Sequence, residues 1–544
     1  MLLSGEVCRG VGLGNHHPPD DRKGNDAVDP AEVCRGHISG RDLVAVKGRT
    51  SDEGNDGKLV TEGNDRSQLT LWASGDAEQV NPAEPAGERQ PKSVRTATNL
   101  HPPKAEGLFE QAFSNDNLYR ALQRVVSNGG AAGVDGIEVQ QLRSHFEEVW
   151  PALRHQLDAG TYRPQPVRRV SIPKPDGGKR DLGVPTVMDR LIQQAVLQVL
   201  TPVFDPCFSK MSFGFRPKRS AHMAVTTAKG FIEEGRNWVV DIDLDSFFVR
   251  VNHDALMARL ARKVGDKRIL KLIRAYLSAG VMVEGVKQAS EAGTPQGSPL
   301  SPLLANIMLD DLDKELERRS HSFVRYADDI RIYVKSERAG HRVLDDITTF
   351  IEHRLKLKVN AGKSGIDSAF KRGLLGFGFF RRKGEVRVRI DSKAKKAMRA
   401  RIRRLTSRTW GISMKVRMAA LNRYIRGWTA YFALADTPSV FDEFDEWLRR
   451  RLRQVHWKQW PRVFTRYRKL RALGIPVDKA WQWAKSQKGA WRMAGSAPLQ
   501  RALPNAYWVD LGLRGFSESY RSVRDVWRTA GCGPARPVVW GGRG

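Results

Sequence analysis

One short stretch of this chain alternates apolar and polar residues with a period of two. In Trp238-Val239-Val240-Asp241-Ile242-Asp243-Leu244-Asp245, the apolar Val240, Ile242 and Leu244 interleave with Asp241, Asp243 and Asp245. That predicts a strand with all three acids on one face. In Phe323 to Val334, the adjacent Asp328 and Asp329 are flanked on both sides by β-branched and aromatic residues, the pattern of a hairpin with acids at its tip. Elsewhere the period lengthens to that of a helix. Leu304, Ile307, Met308 and Leu312 form one stripe; Ala394, Ala397, Met398, Ile402 and Leu405 form a second; Leu421, Tyr424, Ile425, Trp428, Tyr431 and Phe432 form a third, followed by Phe441, Phe444, Trp447 and Leu448. The first hundred residues show neither period. Their only aromatic through residue 107 is Trp72, and the segments Glu6 to Gly10 and Glu53 to Asp56 recur at Glu32 to Gly36 and Glu62 to Asp65. Short repeats without hydrophobic periodicity are expected to stay outside any core.

Paired acids in turns are commonly just solvated. A second acidic strand changes that balance, because a triple-acid face repels itself unless cations neutralise it. Mg²⁺ takes hard oxygen ligands and is usually held by one or two carboxylates plus substrate phosphates, so the chemistry indicated is phosphoryl transfer on a polynucleotide.

Charge points to the same partner independently. The chain carries a formal net charge of +31, yet residues 1 to 107 hold 13 Lys/Arg and 17 Asp/Glu, so the remainder carries +35. Such an excess releases counterions from a phosphate backbone and makes binding strongly salt-dependent. Residues 392 to 435 contain 12 Lys/Arg and not one acid, on helices whose apolar faces must pack while their cations point outward. Cys8, Cys34, Cys207 and Cys532 are too few and too scattered for a disulfide framework or a zinc site, which fits a reducing cytosol. No apolar stretch reaches the roughly 18 residues of a membrane span.

Four further blocks stand in order along the chain: Asn128-Gly129-Gly130-Ala131-Ala132-Gly133-Val134-Asp135-Gly136, Ile172-Pro173-Lys174-Pro175-Asp176-Gly177-Gly178-Lys179-Arg180, Gly214-Phe215-Arg216-Pro217, and Gly293 to Asn306 with Gln296 between Pro295 and Gly297. With the two aspartate motifs they resemble the group II intron-encoded reverse transcriptases with maturase function, from about residue 108 to 525. The resemblance implies an α+β right-hand polymerase, with fingers and palm around an antiparallel sheet over 108 to 390. An all-α thumb or maturase domain follows over 391 to 495, then a tail over 496 to 544. Residues 1 to 107 are expected to be a disordered leader or intron sequence read through in frame from an upstream start; because no methionine lies between Met1 and Met188, a product beginning near residue 100 would need a non-methionine start codon or proteolysis.

The resemblance also assigns roles. Asp243, five positions before Phe248, joins Asp328 and Asp329 in holding two Mg²⁺ ions, while Asp241 and Asp245 are neighbours without an assigned role. Phe248 resembles the aromatic gate against a ribose 2′-hydroxyl, with an ordinary core aromatic as the alternative. Lys174 and Arg180 resemble fingers cations for the triphosphate, Gln296 lines the nucleotide pocket, and Lys363 resembles a lysine proposed to protonate pyrophosphate. Arg399, Arg403, Arg404, Arg423 and Arg426 lie in the maturase-like RNA-binding segment. The implied partners are intron RNA as template and splicing substrate, target DNA and dNTPs, in the cytoplasm and without a membrane; homodimer formation is left open. The chain departs from the family pattern at Val249, where an acid is typical, and beyond residue 490 it has no histidine, so the HNH endonuclease of some relatives is not expected. A splicing cofactor with impaired synthesis, and a reverse transcriptase recruited to defence, are the alternatives; an RNA-templated RNA polymerase is disfavoured by Phe248.

Overall fold

The strand expected from the alternation at Val240 and Ile242 forms at Trp238–Ile242, inside a four-stranded sheet. Asp329–Val334 pairs with one of its edges and Gly365–Ser368 with the other, both antiparallel, while Ser322–Tyr326 completes the hairpin. The computed structural model describes residues 104–173, 178–245, 247–283, 286–288 and 297–529. Both faces of this sheet are covered. Val240, Ile242, Phe323, Ile330 and Ile332 enter a core shared with the helices Val187–Phe204, Lys267–Ser278 and Ser301–Arg318. Val239, Val324 and Tyr333, on the opposite face by the period of two, enter a second core with the helix Ala221–Glu233 and the C-terminal helices. Leu304, Ile307, Met308 and Leu312 are all buried, so the stripe read from their spacing is the core-facing side of Ser301–Arg318.

The strands on either side of residues 174–177, which lie outside the described residues, belong to a second, mixed sheet. There Val167–Pro173 pairs antiparallel with Lys179–Val184 and parallel with Val281–Val283. After the hairpin Phe377–Arg382 and Glu385–Ile390, the described chain is helical. Ser392–Leu405, Met414–Phe432 and Pro438–Gln459 turn their stripes inward around Trp428. Its ring lies 4.5 Å from Phe432, 5.6 Å from Phe444 and 5.6 Å from Phe516. The aromatics of these stripes are therefore mainly core, as their spacing suggests.

The expectation of a tail after residue 495 is corrected by three helices, Ala497–Ala502, Asn505–Asp510 and Phe516–Thr529. Trp508, Phe516 and Tyr520 are buried in the second core. Asp445 accepts bonds from the Phe516 and Ser517 amides at 2.7 and 3.0 Å, satisfying donors that a helix start leaves open. Among the described residues no helix is long and apolar enough to cross a membrane. The leader lies outside the described residues, apart from Lys104 to Gly107.

One buried histidine makes this C-terminal part acid-sensitive. His456 is 8 % exposed, between the rings of Trp460 and Trp508, each 5.5 Å away, and burial pushes its pKa down to about 4. Because the folded value lies below the ordinary 6.5 or so, the unfolded chain binds the proton more readily. Stability is then full above about pH 6.5 and falls as pH drops towards 4, by roughly 2 kcal/mol between pH 7 and pH 5. Urea melts at the two pH values should show this loss, and His456→Phe should reduce it.

Candidate active site and nucleic-acid surface

The hairpin places its acids at the tip as the sequence pattern predicts. Tyr326 pairs with Asp329, leaving Ala327 and Asp328 as a two-residue turn with Asp328 exposed. Ala327 sits at φ 60°, a backbone region that non-glycine residues rarely adopt and that needs outside support. That support is a buried polar network. Arg325 is fully buried and donates through Nη1 to the Ala327 carbonyl at 2.9 Å and to Asn306 Oδ1 at 2.9 Å. Its Nε and Nη2 meet the two carboxylate oxygens of Asp313 at 2.7 and 2.5 Å, a fork-to-fork pair with neither side chain accessible to solvent. Asn306 in turn donates to the Gly214 carbonyl at 3.0 Å.

Gly214 belongs to the block Gly214-Phe215-Arg216-Pro217, whose structural purpose is now visible. The preceding segment runs beside the hairpin, with Phe213 donating to the Arg325 carbonyl and Arg325 donating to the Met211 carbonyl, both at 2.9 Å. A Cβ on Gly214 would lie 2.3 Å from the Ala327 nitrogen, so only glycine allows this approach. Arg216 fastens the same loop through Asp205 at 2.7 Å and the Ser209 and Ser212 carbonyls at 2.6 and 2.9 Å. Gly214→Ala should displace the acidic turn and lower DNA synthesis on the order of 10²-fold with little change in RNA affinity, as primer-extension and filter-binding assays would show.

The acidic strand is shorter than its alternation implies. It ends at Ile242, so Asp241 lies on the strand, Asp243 just past it and Asp245 in the following turn. Asp243 is fixed by its backbone: its amide donates to Ser364 Oγ at 3.0 Å and its carbonyl accepts from the Asn360 amide at 2.9 Å. These bonds bring the 360 to 364 loop, with exposed Lys363, against Asp243.

The cations expected to neutralise the acidic face are in part arginines. Asp241 pairs with Arg372 at 3.1 Å and Arg331 at 3.5 Å, and Asp245 pairs with Arg250 at 3.1 Å. Arg331 also donates to Asp329 at 3.2 Å. Burial raises the Asp241 pKa; Arg331 and Arg372 oppose this, while the negative charges of Asp329 and Asp243 reinforce it. The strand aspartates and the hairpin are thus within electrostatic reach of one another. Asp241, held by two arginines, is a structural member of the site.

Among the described residues no three acidic, histidine or cysteine side chains converge closely enough to enclose an ion by themselves. Carboxylate oxygens such as those of Asp243, Asp328 and Asp329 are the hard donors that Mg²⁺ takes, and Mg²⁺ commonly completes its shell with waters and substrate phosphates. Phe248, in the short helix Phe247–Arg250, is half-buried with its ring 5.1 Å from Phe247, so it packs against the core while keeping part of its surface open. Lys174 and Gln296 lie outside the described residues, as do the side chains of Arg180 and Val249.

The five arginines assigned to RNA binding are all exposed. Arg399, Arg403 and Arg404 lie on Ser392–Leu405, and Arg423 and Arg426 on Met414–Phe432. Arg399 and Arg403, with Lys371, Arg389, Lys395 and Lys396, line one groove that contains a single acid, Asp391. Asp391 is committed to the helix start, accepting from the Lys393 amide at 3.0 Å.

Arg325, Asn306 and Asp313 were not singled out from the sequence, although a signal exists. Asn306 and Asp313 are seven positions apart among the buried residues of one helix, so both face inward and need a partner.

A family profile described as "Reverse transcriptase (RNA-dependent DNA polymerase)" matches residues 172–379, and one described as "Group II intron, maturase-specific domain" matches residues 395–474. Protein YkfC of Escherichia coli K12 is 33% identical over 289 residues, covering 46% of this chain and 76% of its own length. The group II intron-encoded protein LtrA of Lactococcus lactis subsp. cremoris is 37% identical over 250 residues, covering 46% of this chain but 40% of LtrA. An uncharacterised 91 kDa protein in the cob intron of Schizosaccharomyces pombe is 34% identical over 217 residues, covering 40% of this chain and 27% of that protein. The match to LtrA therefore spans less than half of that relative, while the match to YkfC spans about three quarters. With a reverse transcriptase domain built on the paired-aspartate hairpin and a maturase domain built on the basic helices, the chain belongs to the group II intron reverse transcriptase and maturase family.

Proposed function

We propose that this protein copies intron RNA into DNA from dNTPs and, through its basic helices, binds the same RNA to assist its splicing before copying it at a target DNA site during intron mobility. The observation that carries the reading is the acidic turn, held in a strained conformation by a buried network, with Asp241 feeling the charges of both Asp329 and Asp243. In this reading 108 to 390 forms fingers and palm and the following helices form the thumb of a right hand, working in the cytosol. Asp243, Asp328 and Asp329 would hold two Mg²⁺ ions, which when bound activate the primer hydroxyl and neutralise charge on the triphosphate and departing pyrophosphate. The protein's own part is positioning. Arg331 restrains Asp329, the Asn360 to Ser364 loop restrains Asp243, and Arg325 restrains the turn. Lys174 and Arg180 would grip the triphosphate, Gln296 would line its pocket, Phe248 would select deoxyribose, and Lys363 would stand near the departing pyrophosphate.

Phosphate contacts from Arg399, Arg403, Arg404, Arg423 and Arg426 would supply salt-dependent affinity for folded intron RNA, with selectivity from shape and single-stranded features. The test is splicing of the flanking intron at moderate salt with and without the protein. The expected result is faster splicing with wild type and loss of that assistance in the Arg399→Ala, Arg403→Ala, Arg426→Ala triple variant; splicing indifferent to the protein would overturn the maturase part. Val249 favours one second reading, a splicing cofactor whose synthesis is impaired, which predicts splicing assistance without cDNA and recovery of synthesis in Val249→Asp.

A further inference from the structure

At the C-terminal end of the maturase match, which closes at residue 474, the helices Val463–Ala472 and Val477–Ala484 form a hairpin with two unlike sides. Its inner side is fixed. Leu470, Ile475, Ala480 and Ala484 are buried, Gly474 takes the left-handed φ of 79° that ends the first helix, and Ile475 donates back to the Leu470 carbonyl at 3.1 Å. Arg466 fastens the hairpin to the helix before it, donating to the Trp460 carbonyl at 2.9 Å with its guanidinium 4.6 Å from the Trp457 ring.

The outer side carries a row of rings where charged side chains would be expected. Phe464 is 63 % exposed and lies 6.2 Å from Tyr467, which is half-buried against the second core and stacks on Trp481 at 4.2 Å and an interplanar angle of 17°. Trp481 is 36 % exposed, with the Lys485 ammonium 5.8 Å from its ring centre. The background is strongly basic: residues 461 to 490 contain Arg462, Arg466, Arg468, Lys469, Arg471, Lys479, Lys485 and Lys488 against one acid, Asp478. Exposed rings amid cations of one sign do not suit an ordinary protein interface, whose centre is depleted of charge, and no negative surface is offered to a basic partner. They suit a single strand of nucleic acid, whose bases stack on rings while its phosphates meet Lys and Arg.

We infer that Phe464, Tyr467 and Trp481, with Arg468 and Lys485, form a stacking ladder for a single-stranded segment of RNA, separate from the groove at Arg399 and Arg403. This rests on the proposed reading of the protein as an intron-RNA binder and adds to it a place where unpaired bases are held. A duplex keeps its bases stacked on each other and has little to gain from the ladder, so the site discriminates by strandedness.

The test is fluorescence anisotropy of the full chain with a fluorescein-labelled 20-nucleotide polyuridylate and, separately, with an RNA duplex of the same length. Phe464→Ala with Trp481→Ala should weaken single-strand binding on the order of tenfold or more, leave duplex binding within about twofold, and leave the salt slope unchanged. Phe464→Tyr with Trp481→Phe should restore affinity. Lys485→Ala should instead lower the single-strand salt slope by about 0.7. Phe464→Ser alone, at the most open position, guards against an effect on folding and should lose affinity in the same direction. Unchanged single-strand affinity in both the double alanine and Phe464→Ser variants, or an equal loss on single strand and duplex, would overturn the ladder. If primer extension and splicing assistance then persist, the proposed function stands without it; a wild-type chain that binds no RNA and extends no primer overturns both.

Discussion

Asp328→Asn is expected to abolish RNA-templated DNA synthesis, by on the order of 10³-fold or more, while leaving the fold and the affinity for RNA intact. The side chain is exposed on the turn, and exchanging a carboxylate for an amide of nearly the same size removes charge without opening a cavity. What is lost is an anionic oxygen ligand where the reaction needs positive charge held against phosphates, and such terms are commonly the largest in phosphoryl transfer. Asp243→Asn and Asp329→Asn should behave alike. Asp241→Asn should not: its carboxylate is already paired with Arg372 and Arg331, so its loss loosens the site and costs far less activity. Primer extension measured beside filter binding separates the four. A loss at Asp241 equal to that at Asp243 would mean that the metal ligand has been assigned to the wrong acid.

Arg325→Met is expected to destabilise the protein by about 3–5 kcal/mol, because it leaves Asp313 charged, buried and alone. Replacing both members, as Arg325→Met with Asp313→Leu, should recover most of that stability, since apolar residues of similar volume pack where the ion pair was. Activity should not recover with it. The double variant still lacks the donor to the Ala327 carbonyl and the link to Asn306, so the turn at φ 60° loses its support. Urea denaturation and primer extension on the same preparations would display the split between restored stability and absent synthesis. If both returned together, Arg325 would serve packing alone.

The sequence made the site legible where a period or a block order carried it. The β-branched and aromatic residues flanking Asp328 and Asp329 specified the hairpin, and the stripe at Leu304, Ile307, Met308 and Leu312 specified the helix beneath it, because burial of one face leaves the same mark in the sequence as in the structure. The length of the acidic strand was not legible. Leu244 continues the alternation past Ile242, yet the chain turns there to meet Lys358 and Val359, a tertiary pairing that local pattern does not encode. Nor could alternation reveal what neutralises Asp241, since Arg331 and Arg372 come from two other segments. The last helix was legible but went unread: Phe516, Tyr520, Val523 and Trp527 form a helical stripe that enters the second core. What the spacing does not reveal is the partners, Asp445 and Trp428 for Phe516, His456 for Trp508 and Phe441 for Tyr520. The ladder at Phe464 and Trp481 depends on two helices meeting, which no spacing along one helix announces.

The most direct measurement of the central claim is extension of a DNA primer on an RNA template with dNTPs and Mg²⁺, by the wild-type chain and by Asp243→Asn side by side. The account predicts cDNA from the wild type and none from the variant. Equal extension by both would contradict the assigned site, and no extension by a wild-type protein that still promotes splicing would contradict the polymerase.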